Sequence, residues 1–249
     1  MKKEMLVIDH HPGNDLNSRR VVLINPRLER PEVYQPVSYV VYKMFLRFLK
    51  RERWLAALGT VGDYGIDDCR DLVKIKSKKN IWRTKYGKAA MLVTSYIAVY
   101  GPEKTLRMFL ASKNLDDVVH HREIKLASER FKKELKRCRE EFWKNAEVHG
   151  RLVISEIKAR QNRVGSTLIT RLATENQEKI VILFERDDNL YRVHGRNESG
   201  DVDMGELFKK FCNGGGHKEA SSGIIRKNEI SDCKGGIIRE LAKFTGKRV

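Results

Sequence analysis

The chain has 249 residues, 41% apolar and 33% charged, which suffices for one large domain or two modest ones and excludes a disordered polymer. No run of about 18 apolar residues occurs and no apolar stretch of signal-peptide length precedes Asp9, which argues against a membrane partner and predicts a cytoplasmic protein. The formal net charge of +17, from 50 Lys+Arg against 33 Asp+Glu, points to a polyanionic partner, nucleic acid above all.

Met5–Ile8 reads as a short buried strand that delivers Asp9, His10 and His11 to a turn made by Pro12 and Gly13. Ligands gather beyond such strand ends in open α/β sheets, and imidazoles beside a carboxylate suit manganese, iron or zinc. A second apolar run covers 21–24. Residues 37–49 read as a helix, with Val40, Met44 and 46–49 as its apolar stripe.

The apolar run from Trp54 ends in glycines that frame Asp63, a metal-binding carboxylate or the aspartate of an Asx turn. Residues 70–88 carry eight Lys/Arg against one Asp. Within them Lys78, Lys79, Trp82, Arg83, Lys85 and Tyr86 could clamp phosphates while the rings stack on unpaired bases. A solvated basic face is the alternative. Residues 89–100 then read as a buried helix closed by Gly101-Pro102.

Residues 120–147 predict a long amphipathic connecting helix, since Ile124, Ala127, Phe131, Leu135, Cys138 and Phe142 recur at helical spacing. His120 and His121 at its start read as capping or surface residues. Beyond Gly150 short elements alternate: strands at 151–157, 180–184, 190–195 and 224–226, and helices at 166–174, 204–212 and about 236–244. Cys69, Cys138, Cys212 and Cys233 stand far apart and read as reduced core thiols.

Three glycines, Gly214, Gly215 and Gly216, precede His217. Such a loop leading into a helix would present N–H groups to an anion, with His217 adding a donor and Arg196 a bidentate phosphate contact. A purely structural glycine turn is the alternative.

Together, D-H-H at 9–11, G-x-V-G-D at 59–63 and G-G-G-H at 214–217 resemble the DHH phosphoesterase superfamily, in particular its RecJ-like and oligonucleotide-degrading members with a C-terminal DHHA1 domain. The resemblance implies an α/β fold: a remnant of a parallel-sheet DHH domain (1–118), a connecting helix (119–148) and a small mixed α/β DHHA1 domain (149–249). It implies metal-assisted hydrolysis of phosphodiester bonds in single-stranded nucleic acid or short oligonucleotides, with manganese, or alternatively magnesium, as cofactor.

The resemblance makes His10 and Asp63 metal ligands, Asp9 an orienting carboxylate, and His11 a residue facing metal or phosphate. Gly214–Gly216, His217 and Arg196 become the substrate-phosphate cradle. The superfamily also carries two acidic motifs ahead of D-H-H that have no counterpart here. The expectation is therefore an incomplete metal site, completed by an upstream segment or a second polypeptide. The alternatives are a non-catalytic nucleic-acid-binding or replication-scaffold relative, and a small-molecule phosphatase.

Overall fold

The two apolar runs at the start of the chain pair as parallel strands, β1 (Met5–Ile8) and β2 (Val21–Ile24), in register from Met5 opposite Val21 to Ile8 opposite Ile24. In the computed structural model, which describes residues 4–11, 13, 16, 18–75 and 78–242, the chain divides into two units, Met1–Ser128 and Glu129–Val249. The side chains of residues 78 and 79, Pro12 of the expected turn, and 243–244 of the expected last helix lie outside the described residues.

In the first unit, Asn25 follows β2 and caps the short helix α1 (Pro26–Glu29), its side-chain oxygen accepting from the Arg27 amide. Helix α2 (Val37–Met44) stops five residues short of the expected end. Phe45, Leu46 and Phe48 beyond it are exposed, so a longer helix would have no core to pack against. Helix α3 (Arg53–Gly62) follows.

Helix α4 (Lys85–Ala111) begins at the Thr84 cap and breaks at Gly101, whose φ of 83° is non-helical. Instead of ending there, helical structure resumes at Pro102, a residue suited to a first helical turn. Helices α5 (Leu115–Val119) and α6 (Ile124–Lys144) complete the order, the latter running into the second unit. One core cluster of the first unit includes Tyr39, Ala57, Val61, Ile66 and Ile81. Another holds Tyr96, Met108, Val118, Ile124 and Ala127.

The second unit is a six-stranded mixed sheet with spatial order β3-β4-β5-β6-β8-β7. Its strands are β3 (Glu147–His149), β4 (Leu152–Ile157), β5 (Ile180–Arg186), β6 (Leu190–Asn197), β7 (Gly214–Gly216) and β8 (Ala220–Arg226). Within this sheet only β4 and β5 pair in parallel, joined through α7 (Val164–Glu175). Helices α8 (Met204–Phe211) and α9 (Ile230–Leu241) contribute Leu207, Phe208 and Ile237 to a core shared with Ile154, Ile182, Phe184 and Val193.

Residues 180–185 of β5 are all buried, whereas β8 alternates buried and exposed residues. The sheet is thus covered on both faces at its centre and on one face at the β8 end. Strand β3 has only three residues, too short a pattern to read in sequence. Two sequence expectations are corrected. The glycine run is an edge strand that turns back into β8 and does not lead into a helix. The last helix begins at Ile230, not near 236. All four cysteines are buried and free.

Candidate metal centre and phosphate-binding face

At the first candidate site the parallel ladder ends with the Asp9 amide donating to the Ile24 carbonyl, so residues 9–11 leave the sheet at the carboxyl ends of both strands. Asp9 Oδ1 accepts from the His10 amide at 2.7 Å and lies 2.7 Å from His11 Nδ1. Burial alone would raise its pKa, but these hydrogen bonds hold the carboxyl below the usual aspartate range. Asn25 completes the turn, donating from Nδ2 to the His11 carbonyl at 2.9 Å.

His10 points inward and is 8% exposed. Burial lowers its pKa and favours neutral imidazole, the form that binds metal. Its Nε2 lies 3.3 Å from Asp63 Oδ2, while its buried Nδ1 has no hydrogen-bond partner. Two donor atoms each about 2.1 Å from one ion would lie roughly 3.0–3.4 Å apart, so the pair fits a shared divalent cation.

Asp63 is the C-cap of α3 rather than part of a loop. A carboxylate there opposes the helix dipole, whereas a cation beside it is favoured. Tyr34 hydrogen-bonds Asp63 and stands edge-on to His10, with ring centroids 5.3 Å apart. Burial, then the Asp63 charge, pushes its phenol up to about 12, so it remains a donor to Asp63.

Among the described residues, Asp9, His10 and His11 are the one group of three or more such donors, one atom from each lying within 4.8 Å of the others. The donor set of imidazole and carboxylate suits a transition metal such as manganese, iron or zinc. The neighbours Asn25 and Tyr34 were not singled out in sequence, since an asparagine after a strand and a loop tyrosine carry no motif.

The second candidate site lies on the one-sided end of the sheet in the other unit. Gly215 stands opposite Ser222, which stands opposite His194. His217 and Ala220 exchange backbone hydrogen bonds of 2.8 and 3.2 Å, and Ala220 stands opposite Arg196. Directly opposed residues share a sheet face, so two adjacent rows form: Gly215–Ser222–His194 and His217–Ala220–Arg196. Small residues make the floor, and basic or imidazole groups flank it.

The three glycines have different reasons. A Cβ on Gly214 would strike the Ser222 carbonyl oxygen, and one on Gly216 the Ala220 carbonyl oxygen. A Cβ on Gly215 would meet nothing within 4 Å. Chain packing therefore accounts for the outer two, and the middle one leaves bare backbone on the open face.

In the expected nucleic-acid segment, Trp82 and Tyr86 are half-buried and pack against the first unit's core, and the Trp82 ring N–H donates to the Tyr64 hydroxyl at 2.7 Å. Arg83 and Lys85 remain exposed, with Lys85 2.9 Å from Asp116. The Lys78 and Lys79 side chains are among those outside the description. His120 is the C-cap of α5 rather than the start of the long helix, which begins at Ile124, and half-buried His121 packs edge-on to Tyr96.

Residues 149–244 match the family model described as the DHHA1 domain. In fold, the chain is similar to RecJ from Thermus thermophilus, solved in complex with Mn2+, at a TM-score of 0.75 and 16% identity. That match covers 97% of this chain and 41% of the RecJ chain. A DHH domain from a member of a ribosomal-protein family gives a TM-score of 0.68 at 15% identity, covering 96% of this chain and 64% of that one. A pGpG-specific phosphodiesterase from Vibrio cholerae, PggH, gives 0.55 at 14%, covering 97% and 84%. No curated protein sequence matches the chain. No helix among the described residues is long and apolar enough to cross a membrane.

Proposed function

From a chain that carries a DHHA1 domain and has the fold of the DHH proteins, we propose a metal-dependent phosphoesterase that hydrolyses phosphodiester bonds in single-stranded nucleic acid or short oligonucleotides. The observation that carries this reading is the inward-facing His10 beside Asp63 at the strand ends, 3.3 Å apart. In this reading the DHH part spans 1–118, residues 119–148 connect, and 149–249 bind substrate, in a cytoplasmic protein.

His10 and Asp63 would hold a manganese or magnesium ion, with His11 beside them and Asp9 orienting both histidine residues. A bound ion of this kind supplies charge to the phosphate oxygens and lowers the pKa of a coordinated water. Asp9 holds His11 through Nδ1, and the Tyr34 phenol orients the Asp63 carboxylate through a hydrogen bond. Arg196, His217 and the bare Gly215 backbone would receive the substrate phosphate. Residues 9–11 and 63 furnish few ligands for a divalent ion, so the reading includes further ligands from an upstream segment or a second polypeptide.

The test is manganese-dependent cleavage of an end-labelled single-stranded oligonucleotide by the native protein. His10→Ala and Asp63→Ala should each abolish cleavage while leaving the circular dichroism spectrum unchanged. Cleavage by either variant at the native rate would overturn the reading. A non-catalytic nucleic-acid-binding relative is the second reading, favoured by the net charge of +17 and by the single donor cluster among the described residues. Salt-sensitive binding without cleavage would select it.

A further inference from the structure

The second unit buries a histidine and a glutamate that the phosphate reading leaves unused. His194 and Glu185 are 8% and 6% exposed, and His194 Nε2 lies 3.2 Å from Glu185 Oε2. On the other side of the ring, Nδ1 lies 3.4 Å from the Ser222 hydroxyl, which stands on the exposed face opposite Gly215. Packing encloses the inner end: a Cβ on Gly165 in the first turn of α7 would come within 2.9 Å of both the Glu185 carboxyl carbon and His194 Nε2.

This array has a direction. With Nε2–H donating to the Glu185 carboxyl oxygen, the other ring nitrogen, Nδ1, faces Ser222 Oγ. In the neutral ring Nδ1 accepts from the Ser222 hydroxyl; when both ring nitrogens carry protons, as an anion bound over Gly215 favours, Nδ1 donates to Ser222 Oγ and the hydroxyl hydrogen turns outward. In that doubly protonated form the outer end of the array is a donor at Ser222, beside the row in which His217 and Arg196 flank Ala220.

We propose that Ser222 is a phosphate-binding hydroxyl of this face, oriented by the buried His194–Glu185 pair, and that it recognises the terminal phosphate of a short nucleotide chain. The inference rests on the reading of Arg196 and His217 as a phosphate cradle and adds a residue to it. Ser222 touches the ligand, whereas His194 and Glu185 act through it as positioning residues. Ser222 then adds a donor to a face whose neighbouring row carries Arg196 and His217. The missing side chain at Gly215 leaves room for the rest of the ligand to lie on the sheet.

The experiment is calorimetric titration of the full chain with a 5′-phosphorylated dinucleotide and with the same dinucleotide lacking that phosphate. Ser222→Ala should weaken the phosphorylated ligand about tenfold or more, the loss expected for a hydrogen bond to a charged group, and leave the other ligand unchanged. Ser222→Thr, which keeps the hydroxyl, should restore the difference. His194→Gln should reproduce the loss of phosphate discrimination.

If Arg196→Ala abolishes discrimination while Ser222→Ala and His194→Gln bind as the native chain does, the proposal fails and the cradle stands. If the native chain itself does not discriminate, or if Arg196→Ala has no effect, the cradle reading fails and this proposal with it.

Discussion

His10 and Glu134 show what one buried polar residue demands of its surroundings. His10 is held by Asp63 on one side and, through an edge-on ring, by Tyr34 on the other. Removing the Tyr34 hydroxyl leaves the ring contact but frees the Asp63 carboxylate. Tyr34→Phe should therefore weaken Mn2+ binding about tenfold, the scale of an outer hydrogen bond at a metal site, with the fold unchanged. Titration calorimetry with Mn2+ alone would show it, and native affinity would remove Tyr34 from the site.

Glu134 is nearly buried in α6 and accepts 2.7 and 3.1 Å bonds from Arg137 and a 2.8 Å bond from the Arg160 amide. Burial opposes its ionisation, yet those donors keep its pKa below the ordinary glutamate value of 4.5. A depressed folded pKa contributes stability that is complete above the unfolded value and lost as the pH falls through the folded one. Glu134→Gln should thus cost about 2 kcal/mol at neutral pH and flatten the loss of stability below about pH 4.5. Urea denaturation at pH 7 and pH 3.5 distinguishes the two: equal differences at both would contradict the assignment.

At the scale of elements, the edge strand β7 separates packing from function. Gly214→Ala and Gly216→Ala place a Cβ against backbone oxygens of β8, and each should destabilise the second unit by on the order of 2 kcal/mol. Gly215→Ala meets open space and should unfold at the native temperature. Its effect should fall instead on ligand binding. Thermal denaturation of the three variants decides this, and a destabilised Gly215→Ala would mean that the middle glycine is also structural. Residues 45–48 make a related point, because their apolar side chains read as a helix yet lie exposed beyond the end of α2.

Across the whole molecule, the surplus of 17 positive charges should make binding to single-stranded nucleic acid strongly salt-dependent. A footprint of about four phosphates gives a log–log slope near −3, a loss of roughly fiftyfold between about 50 and 200 mM salt. Fluorescence anisotropy with a labelled single strand measures it. A slope near zero would assign the charge to solubility alone. Exposed Arg83 should contribute more to the slope than Lys85, which already faces Asp116.

The strands 5–8 and 21–24, those near 180–184 and 190–195, and the amphipathic helix with Ile124, Phe131 and Phe142 on one side were legible in sequence, since each depends on local periodicity. The D-H-H and G-G-G-H motifs marked where to look for the same reason: their residue types are costly unless something requires them. Tertiary structure alone decided which face each residue met. It packed one side of Trp82 and Tyr86 against the core, placed Asp63 at a helix end beside His10, and made a strand of the glycines. It also aligned Ser222, His194 and Glu185 from three strands. Contacts between residues distant in sequence depend on register and packing, which no local pattern encodes.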